Sequence, residues 1–488
     1  MSNNMNQQHN SLKNRAVSGF LWRFFERCGA QGVTLIVSII LARLLDPSVY
    51  GTVALLYVFT TILGVFLDSG LGSALIQKKN ADELDFSTVF YFNILMSVAL
   101  YALLFFSAPA IAGFYEIPEL KPLVRVLGID LIVSGVKNIQ ISYVSKNLQF
   151  KKFFFATLGG TIGAAIVGVW MAYNGYGVWA LVVQHLFNGL VDTAILWLTV
   201  KWRPQKMFSW ERLKELFSYG WKLLVSSLLD NAYNQLRQLI IGKMYTKADL
   251  AFYNKGSEYT HPIITNINSA INSVLFPVMS DAQDNTYTVK MMTRRAIKTS
   301  SYIIWPMMMG IAACAEPLVR LLLTEKWMPC VPFMRIFCIV YAFWPIHTSN
   351  LNAIKSLGRS DIFLKLEIVK KAVGFAVLFT TMWFGPLVMA YSMLFTSLTS
   401  QIINAWPNRK LLDYTYGQQI KDILPSIVLS SAMFGVVYGI QFIGLNDWLT
   451  LIIQIPLGAV IYIAGSKLFK IESYNYLIVT AKGFLKRG

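Results

Sequence analysis

The sequence predicts an all-α integral membrane protein of about 14 transmembrane helices, in two pseudo-symmetric six-helix lobes followed by two C-terminal helices. Three observations predict this fold: an apolar composition, a regular succession of long apolar stretches, and an internal repeat. Hydrophobic residues make up 55% of the 488 residues and charged residues 14%, with a mean hydropathy of +0.51. These values lie far from those of soluble proteins, so the composition excludes a soluble multidomain protein.

Each apolar stretch is long enough for a helix to cross the roughly 30 Å hydrocarbon core of a bilayer. The predicted spans lie at 16–45, 50–77, 86–114, 120–145, 153–173, 177–200, 216–244, 252–280, 291–315, 328–354, 362–383, 386–407, 420–443 and 447–468. The spans at 120–145, 252–280 and 328–354 are the weakest, because they carry many polar residues.

An internal repeat organises the chain. The run IILARLLDPSVYG from Ile39 is repeated in character by IIGKMYTKADLA from Ile240, and PLVRVLGI from Pro122 matches PFMRIFCI from Pro332. Because about six spans separate the two copies, the halves have the same orientation in the membrane. The predicted segments are a tail at 1–15, an N-lobe at 16–200, an amphipathic linker at 201–215, a C-lobe at 216–415, two further helices at 416–470 and a basic tail at 471–488.

Lys and Arg are concentrated in alternate loops, which predicts that both termini are cytoplasmic. The predicted outer loops hold few of them: Lys121, Lys247, Arg320 and Lys326. The net charge of +18 therefore reflects membrane topology, and it does not indicate a nucleic-acid partner. The first fifteen residues are polar, and the apolar run that follows is too long for a cleavable signal peptide.

The first predicted span carries three charged residues, Arg23, Glu26 and Arg27. Their spacing places them on one helical face. That face continues with three polar residues: Gln31, Thr34 and Ser38. Each ion near a bilayer centre costs roughly 2.5–3.5 kcal/mol, so this face is expected to meet a polar cavity rather than lipid. Two arginines against one glutamate predict an anionic ligand.

Polar stripes also follow the corresponding spans of the second half. In 216–244 the stripe consists of Lys222, Ser226, Asp230, Asn234 and Arg237. In 252–280 it consists of Asn254, Glu258, His261, Thr265, Asn268 and Asn272. We expect Pro262 to kink the second helix and Lys255 to snorkel toward the outer interface. For a lone Asn or Thr, an interhelical hydrogen bond is the alternative explanation.

Several other ionisable residues lie within the spans. Asp68 is either an acid that titrates in a cavity or a helix cap beside Gly70 and Gly72. Asp130 and Lys137 are expected to pair with each other or with other spans. Buried structural roles are expected for three more: His185, Asp192 and His347.

The loops and motifs argue against an enzyme. The predicted outer loops are too short to hold a catalytic domain, and the chain lacks the Walker phosphate-binding loop of ATPases. Its four cysteines show no paired spacing, so neither a metal site nor a disulfide is predicted.

Several runs together resemble the polysaccharide-transporter branch of the multidrug/oligosaccharidyl-lipid/polysaccharide flippase superfamily. They are ILARLLDPSVYGTVAL from Ile40, FLDSGLGSALIQKK, GVWALVVQHL from Gly177, SWERLKELFSYGWKLL and SVLFPVMSDAQ. The resemblance extends from residue 12 to about 470 and is strongest to Wzx-type flippases of the colanic-acid and teichuronic-acid exporter-like group.

The resemblance implies a multi-pass protein of the bacterial inner membrane that has no cofactor. Such a protein would flip undecaprenyl-pyrophosphate-linked oligosaccharide by alternating access, for exopolysaccharide or O-antigen assembly, beside a polymerase and a chain-length regulator. The family's cationic cavity maps onto four residues: Arg23, Arg27, Lys222 and Arg237. His261 and Asn268 would complete the sugar-binding surface. If transport is coupled to H⁺ or Na⁺, the candidate acids are Glu26, Asp230, Glu258 and Asp68.

Two other functions stay open at this point. One is an ion-coupled antiporter for drugs or other small molecules with the same fold. The other is a scaffold for polysaccharide assembly that transports nothing.

Overall fold

The computed structural model describes Trp22 and residues 25–68, 70–78 and 80–485, with the side chains at 68, 219, 222, 223, 481 and 483–485 left aside. The chain divides into two compact units, Met1–Leu250 and Ala251–Gly488. The described residues are almost entirely helical, which confirms the predicted all-α class. The predicted lobe boundaries stay a prediction.

The first unit contains ten helices within the described residues, the last of which continues into the second unit. They are α1 (Phe25–Leu44), α2 (Pro47–Asp68), α3 (Leu71–Gln77), α4 (Glu83–Tyr115), α5 (Leu120–Leu127), α6 (Ile129–Lys146), α7 (Lys151–Tyr173), α8 (Val178–Thr199), α9 (Trp210–Met244) and α10 (Lys247–Glu258).

The second unit continues with eleven helices and two short 3₁₀ segments, Glu325–Cys330 and Ile440–Ile443. The helices are α11 (His261–Asp281), α12 (Thr286–Ala313), α13 (Ala315–Leu323), α14 (Val331–Ala342), α15 (Trp344–Ser356), α16 (Ser360–Thr381), α17 (Pro386–Ala405), α18 (Asn408–Leu411), α19 (Tyr416–Gly439), α20 (Asp447–Leu468) and α21 (Glu472–Leu485).

Nine helical segments in the described part are long and apolar enough to cross a membrane, or ten if α12 and α13, bent by 62°, form one span. The predicted count of about 14 is therefore not confirmed. The four remaining predicted spans are helical, as α6, α9, α11 and α16, but they are too polar to satisfy the same criterion. Polar helices can span a membrane only where protein or a cavity covers their polar side.

The predicted repeat agrees with the local backbone of both copies. α1 ends at Leu44 and α2 begins at Pro47, while α9 ends at Met244 and α10 begins at Lys247, 200 positions later in each case. The same short turn therefore joins the first two helices of each copy.

The aligned arginines of the repeat make the same kind of bond in their own units. Arg125 donates from Nε to the carbonyl oxygen of Phe105 at 3.3 Å. This carbonyl has no helical donor, because Pro109, four residues later in the same helix, lacks a backbone N–H. Arg335 donates from Nε to the carbonyl oxygen of Ala312 at 3.2 Å, at the end of α12. Both arginines satisfy carbonyl groups that a helix leaves unpaired.

α7 packs on α8 through a stripe of small residues. Every fourth residue of α7 is small and buried: Ala156, Gly160, Ala164, Gly168 and Ala172. A Cβ atom at Gly160 would lie 2.6 Å from the side chain of Asn188 on α8, and one at Gly168 would lie 2.9 Å from the side chain of Gln184. Larger residues would separate the two helices, so this stripe sets the position of α8.

α9 is a single helix of 35 residues that joins the predicted amphipathic linker to the predicted seventh span. Its N-cap is Ser209, the predicted helix start, whose Oγ accepts from the backbone N–H of Arg212 at 3.3 Å. Ion pairs fix its first turns to the α3–α4 connection. Lys78 lies 3.0 Å from Asp85 and 2.9 Å from Glu215.

α2 ends at Asp68, and Gly70 has a φ of 73° before α3 begins. The predicted span at 50–77 is therefore interrupted at Gly70, where the left-handed conformation favours glycine, and the choice between the two roles of Asp68 stays open. A Cβ atom at Gly70 would lie 2.6 Å from the carbonyl oxygen of Gly220, so α9 also crosses this turn in close contact.

Candidate functional site

The first unit contains an open, polar-lined cavity of about 650 Å³ among α2, α6, α8 and α9. Its lining residues are Tyr57, Thr60, Thr61, Gly64, Val65, Asp130, Ser134, His185, Ser227 and Asn231. Eight of these ten residues carry a hydroxyl, amide, imidazole or carboxylate group, while their apolar atoms contribute the larger share of the lining surface. A cavity with so many hydrogen-bonding groups inside a membrane-spanning unit is a candidate site for a polar ligand.

An acidic and a basic residue meet in the wall of this cavity. His185 Nε2 on α8 lies 3.3 Å from Asp130 Oδ2 on α6, and both side chains are partly exposed. Tyr57 on α2 covers the imidazole, with ring centroids 4.9 Å apart. Asp130 occupies the first turn of α6, where the helix dipole favours a carboxylate. The pair therefore presents an anionic acceptor and an imidazole side by side.

A second ion pair joins the same two helices farther along. Lys137 Nζ lies 3.3 Å from Asp192 Oδ2. Asp130 and Lys137 thus pair with other spans rather than with each other, which resolves the alternative left open by the sequence. These two contacts connect α6 and α8 at two points along their length.

The predicted cationic face of the first span is only partly described. Arg23 lies outside the described residues, while Arg27 is exposed. Glu26 is 6% exposed, and its Oε1 accepts a hydrogen bond from Thr157 Oγ1 on α7 at 3.1 Å. Glu26 and Arg27 therefore face different surroundings. Phosphate binding by the arginines stays a prediction.

α9 contributes different residues to the cavity from those of the predicted stripe. Ser227 and Asn231 line the cavity, whereas Asp230 is exposed and Arg237 is 8% exposed. The side chain of Lys222 lies outside the described ones, as does that of Asp68. The spacing of four between Ser227 and Asn231 is a signal that the sequence already contains. This spacing could have identified the face of Ser227 and Asn231, each of which follows a residue of the predicted stripe by one position.

The predicted stripe at 252–280 is divided between two helices. α10 ends at Glu258 and α11 begins at His261, with Pro262 in its first turn, so the expected kink is a break. His261 contacts the rings of Tyr341 and Trp344 edge to face, at 5.6 Å each. Its role in a sugar-binding surface stays a prediction.

Two residues of the same stripe join α11 to α15. Thr348 Oγ1 donates to Asn268 Oδ1 at 3.2 Å, and Asn352 Nδ2 donates to Asn272 Oδ1 at 2.7 Å. These bonds are the interhelical bonds expected of lone polar residues in a membrane bundle. They give Asn268 a structural partner, and its predicted contact with substrate stays a prediction.

The expectation that Lys255 snorkels to the outer interface is wrong. Lys255 is 2% exposed and pairs with Glu258 at 2.8 Å. Its ammonium group lies 5.5 Å from the Trp327 ring centroid and 5.6 Å from that of Tyr259. A carboxylate one turn away and two aromatic faces replace the water that a snorkelling lysine would seek. Glu258 is thereby engaged in an ion pair.

No cluster of three or more metal-binding side chains occurs among the described residues. The three cysteines at 314, 330 and 338 are buried and free, and Cys28 is exposed and free.

Comparison with known proteins identifies relatives over most of the chain. The family model for "Polysaccharide biosynthesis protein" matches residues 40–332. The chain is 23% identical over 414 residues to the teichuronic acid biosynthesis protein TuaB of Bacillus subtilis, covering 83% of this chain and 85% of that protein. It is 21% identical to the lipopolysaccharide biosynthesis protein WzxC of Escherichia coli, covering 87% and 88%. The succinoglycan biosynthesis transport protein ExoT of Rhizobium meliloti is also 21% identical, over 72% and 71%.

Solved structures share the fold. The lipid II flippase MurJ in an inward closed conformation matches with a TM-score of 0.76 at 16% identity, over 95% of this chain and all of that one. An inward-facing multidrug resistance MATE family transporter of the MOP superfamily matches with a TM-score of 0.61 at 15% identity, over 78% and 94%. At these identities the similarity concerns the fold alone.

Proposed function

The chain belongs to the polysaccharide biosynthesis protein family, in the polysaccharide flippase branch of the MOP superfamily, and on that premise we propose that it flips a lipid-linked oligosaccharide across the bacterial inner membrane. Transport proceeds by alternating access and without catalysis. The lipid carrier is undecaprenyl pyrophosphate, and the oligosaccharide is a repeat unit for exopolysaccharide or O-antigen assembly. A polymerase and a chain-length regulator act on the product.

The polar cavity of the first unit is the single observation that carries this proposal. Its hydroxyl and amide groups match the donors and acceptors of sugar hydroxyls, and the Asp130–His185 pair offers a stronger acceptor beside them. A volume of about 650 Å³ is in the range of pockets that bind small organic ligands. The sugars occupy this cavity while the polyprenyl chain stays in lipid.

The pyrophosphate is assigned to basic residues of the first and seventh predicted spans: Arg23, Arg27, Lys222 and Arg237. Arginine binds phosphate through charge-assisted, bidentate hydrogen bonds, which lysine cannot reproduce. The exposure of Arg27 supports this assignment, because its guanidinium is accessible to an anion.

If transport is driven by H⁺ or Na⁺, the acids assigned to coupling are Glu26, Asp230, Glu258 and Asp68. Glu26 is buried beside Thr157, and Glu258 is paired with Lys255, so each would have to exchange a partner during the cycle. Asp230 is exposed on α9. No cofactor takes part.

The test is export by cells that lack the chromosomal gene and carry plasmid-borne variants. Asn231→Leu removes an amide from the cavity, and Asn147→Leu, at the exposed end of α6, is the matched control. The cavity variant is expected to lower export about fivefold, the effect of about one hydrogen bond, and to leave lipid-linked repeat units in the inner leaflet. Equal export by both variants at equal membrane levels would refute sugar binding in this cavity. Full export by all cavity variants would favour a scaffold.

A further inference from the structure

The second unit contains a basic cleft of about 270 Å³ between the N-terminal part of α12 and the C-terminal helix α21. Its lining includes three cations, Arg294, Arg295 and Lys298, together with Glu472 and Tyr476. We propose that this cleft binds the phosphodiester group of an anionic phospholipid. The proposal depends on the membrane location of the chain but not on its transport substrate.

Two of the three cations are neutralised within the protein. Arg294 forms a two-point bond with Asp422, with Nε–Oδ2 and Nη2–Oδ1 distances of 2.6 Å and 2.7 Å. Lys298 lies 2.5 Å from Glu472 and 3.3 Å from Asp422. Two carboxylates therefore balance two cations.

Arg295 is the third cation, and no carboxylate of the described residues lies within ion-pair distance of it. Its guanidinium carbon lies 4.5 Å from the ring centroid of Tyr476 on α21. Stacking on a ring fixes the plane of a guanidinium while leaving its N–H edge available to an anion. The cleft thus presents one positive charge without a carboxylate partner among the described residues, held over the ring of Tyr476.

The surroundings of the cleft favour a lipid over a soluble phosphate compound. α21 follows the last apolar helix, α20, after a turn of three residues. Tyr474 and Leu477 pack against the core of the unit, while Ile478 and Val479 are 40% and 70% exposed. With α21 at the membrane surface, acyl chains would lie beside the exposed Ile478 and Val479 and a head group beside Arg295.

Native mass spectrometry of the purified full chain tests the proposal. Protein in neutral detergent is mixed with dioleoylphosphatidylglycerol or with dioleoylphosphatidylcholine, and the lipid-bound fraction is measured. The wild-type protein is expected to retain more phosphatidylglycerol than phosphatidylcholine. Arg295→Gln should weaken that binding about fivefold, the effect expected for one basic residue near a membrane surface. Arg295→Lys, which keeps the charge but not the planar stack, should weaken it less.

Arg409→Gln is the matched control, because Arg409 is also exposed in the second unit and has the same charge. Equal losses from Arg295→Gln and Arg409→Gln would overturn the proposal, as would equal retention of the two lipids by wild type. Glycerol 3-phosphate provides the second arm. If it binds at Arg295 as tightly as the lipid does, the ligand is a soluble phosphate compound and the lipid assignment is wrong. None of these outcomes depends on export activity, so the proposed function is tested separately.

Discussion

His185 Nε2 lies 3.3 Å from Asp130 Oδ2, and the two residues belong to different helices of the first unit. The pair lies in the wall of a cavity rather than in a sealed core, with 38% of the His185 side chain exposed. A pair that served only to hold α6 to α8 would be expected to exclude ligand and solvent. Its accessibility instead suits it to exchange one partner for a sugar hydroxyl.

The first prediction concerns this pair. Asp130→Asn keeps the shape of the side chain and removes its charge, so the charge-assisted bond to substrate, worth about 1.5–3 kcal/mol, is lost. Export should fall tenfold or more at an unchanged membrane level. Asp281→Asn, at the exposed end of α11, should leave export unchanged. If Asp130→Asn instead lowers the melting temperature together with export, the Asp130–His185 pair serves only to stabilise the fold.

The second prediction concerns Arg27. Arg27→Ala should abolish export, because removing the cationic partner of the substrate pyrophosphate weakens binding by roughly 2–5 kcal/mol. Arg27→Lys should restore export in part, since a point charge replaces the bidentate group. The double variant Glu26→Gln with Arg27→Gln keeps the charge balance of the first span. Full export from it would mean that Arg27 only balances Glu26.

The third prediction concerns the bonds between α11 and α15. Asn268→Leu and Thr348→Val each remove one end of a 3.2 Å hydrogen bond. A double-mutant cycle on unfolding in detergent should give a coupling energy of about 0.6 kcal/mol and no more than about 1.7 kcal/mol. A coupling energy of zero would show that the two residues do not stabilise each other.

The fourth prediction concerns acid. The hydrogen bond from Lys78 lowers the pKa of Glu215, and the backbone N–H of Asp85 lowers the pKa of Asp82. A carboxylate whose pKa is lower in the folded than in the unfolded state stabilises the fold at any pH above its unfolded-state pKa. This contribution is lost as the pH falls through the folded-state pKa. The melting temperature should therefore drop between about pH 5 and pH 3. Glu215→Gln should show a smaller drop, whereas Glu211→Gln, one turn earlier and exposed, should behave as wild type.

The fifth prediction concerns topology. Single cysteines at Lys121 and Lys247 should react with an impermeant reagent applied to the outer face. A cysteine at Lys290 should react only after permeabilisation, because the basic loops are predicted to lie inside. Labelling of position 290 from outside would reverse the predicted orientation.

The features that the sequence predicts well are local or repeated. Because Arg125 and Arg335 occupy equivalent places in the repeat, alignment of the chain with itself identifies both, and each bonds a helix carbonyl. The turn at Gly70 agrees with the conformational freedom of glycine, whereas the break before Pro262 is expected only as a kink.

The cavity is different, because it depends on which faces of distant helices meet. The small residues of α7 set the position of α8, which brings His185 to Asp130, and neither sequence neighbourhood contains that information. The same holds for Lys255, whose partners Tyr259 and Trp327 come together only in the folded chain. The partners of these charged residues therefore follow from tertiary contacts, which the periodicity of the sequence does not reveal.

The continuity of α9 has a mechanical consequence. Its 35 residues form a rod of about 52 Å, with Glu215 held by Lys78 near one end and Asn231 in the cavity wall farther along. Because the helix is unbroken, a tilt at the Lys78–Glu215 end would also move Asn231 in the cavity wall. A displacement of the connection between α3 and α4 would thereby be transmitted through α9 to the cavity wall.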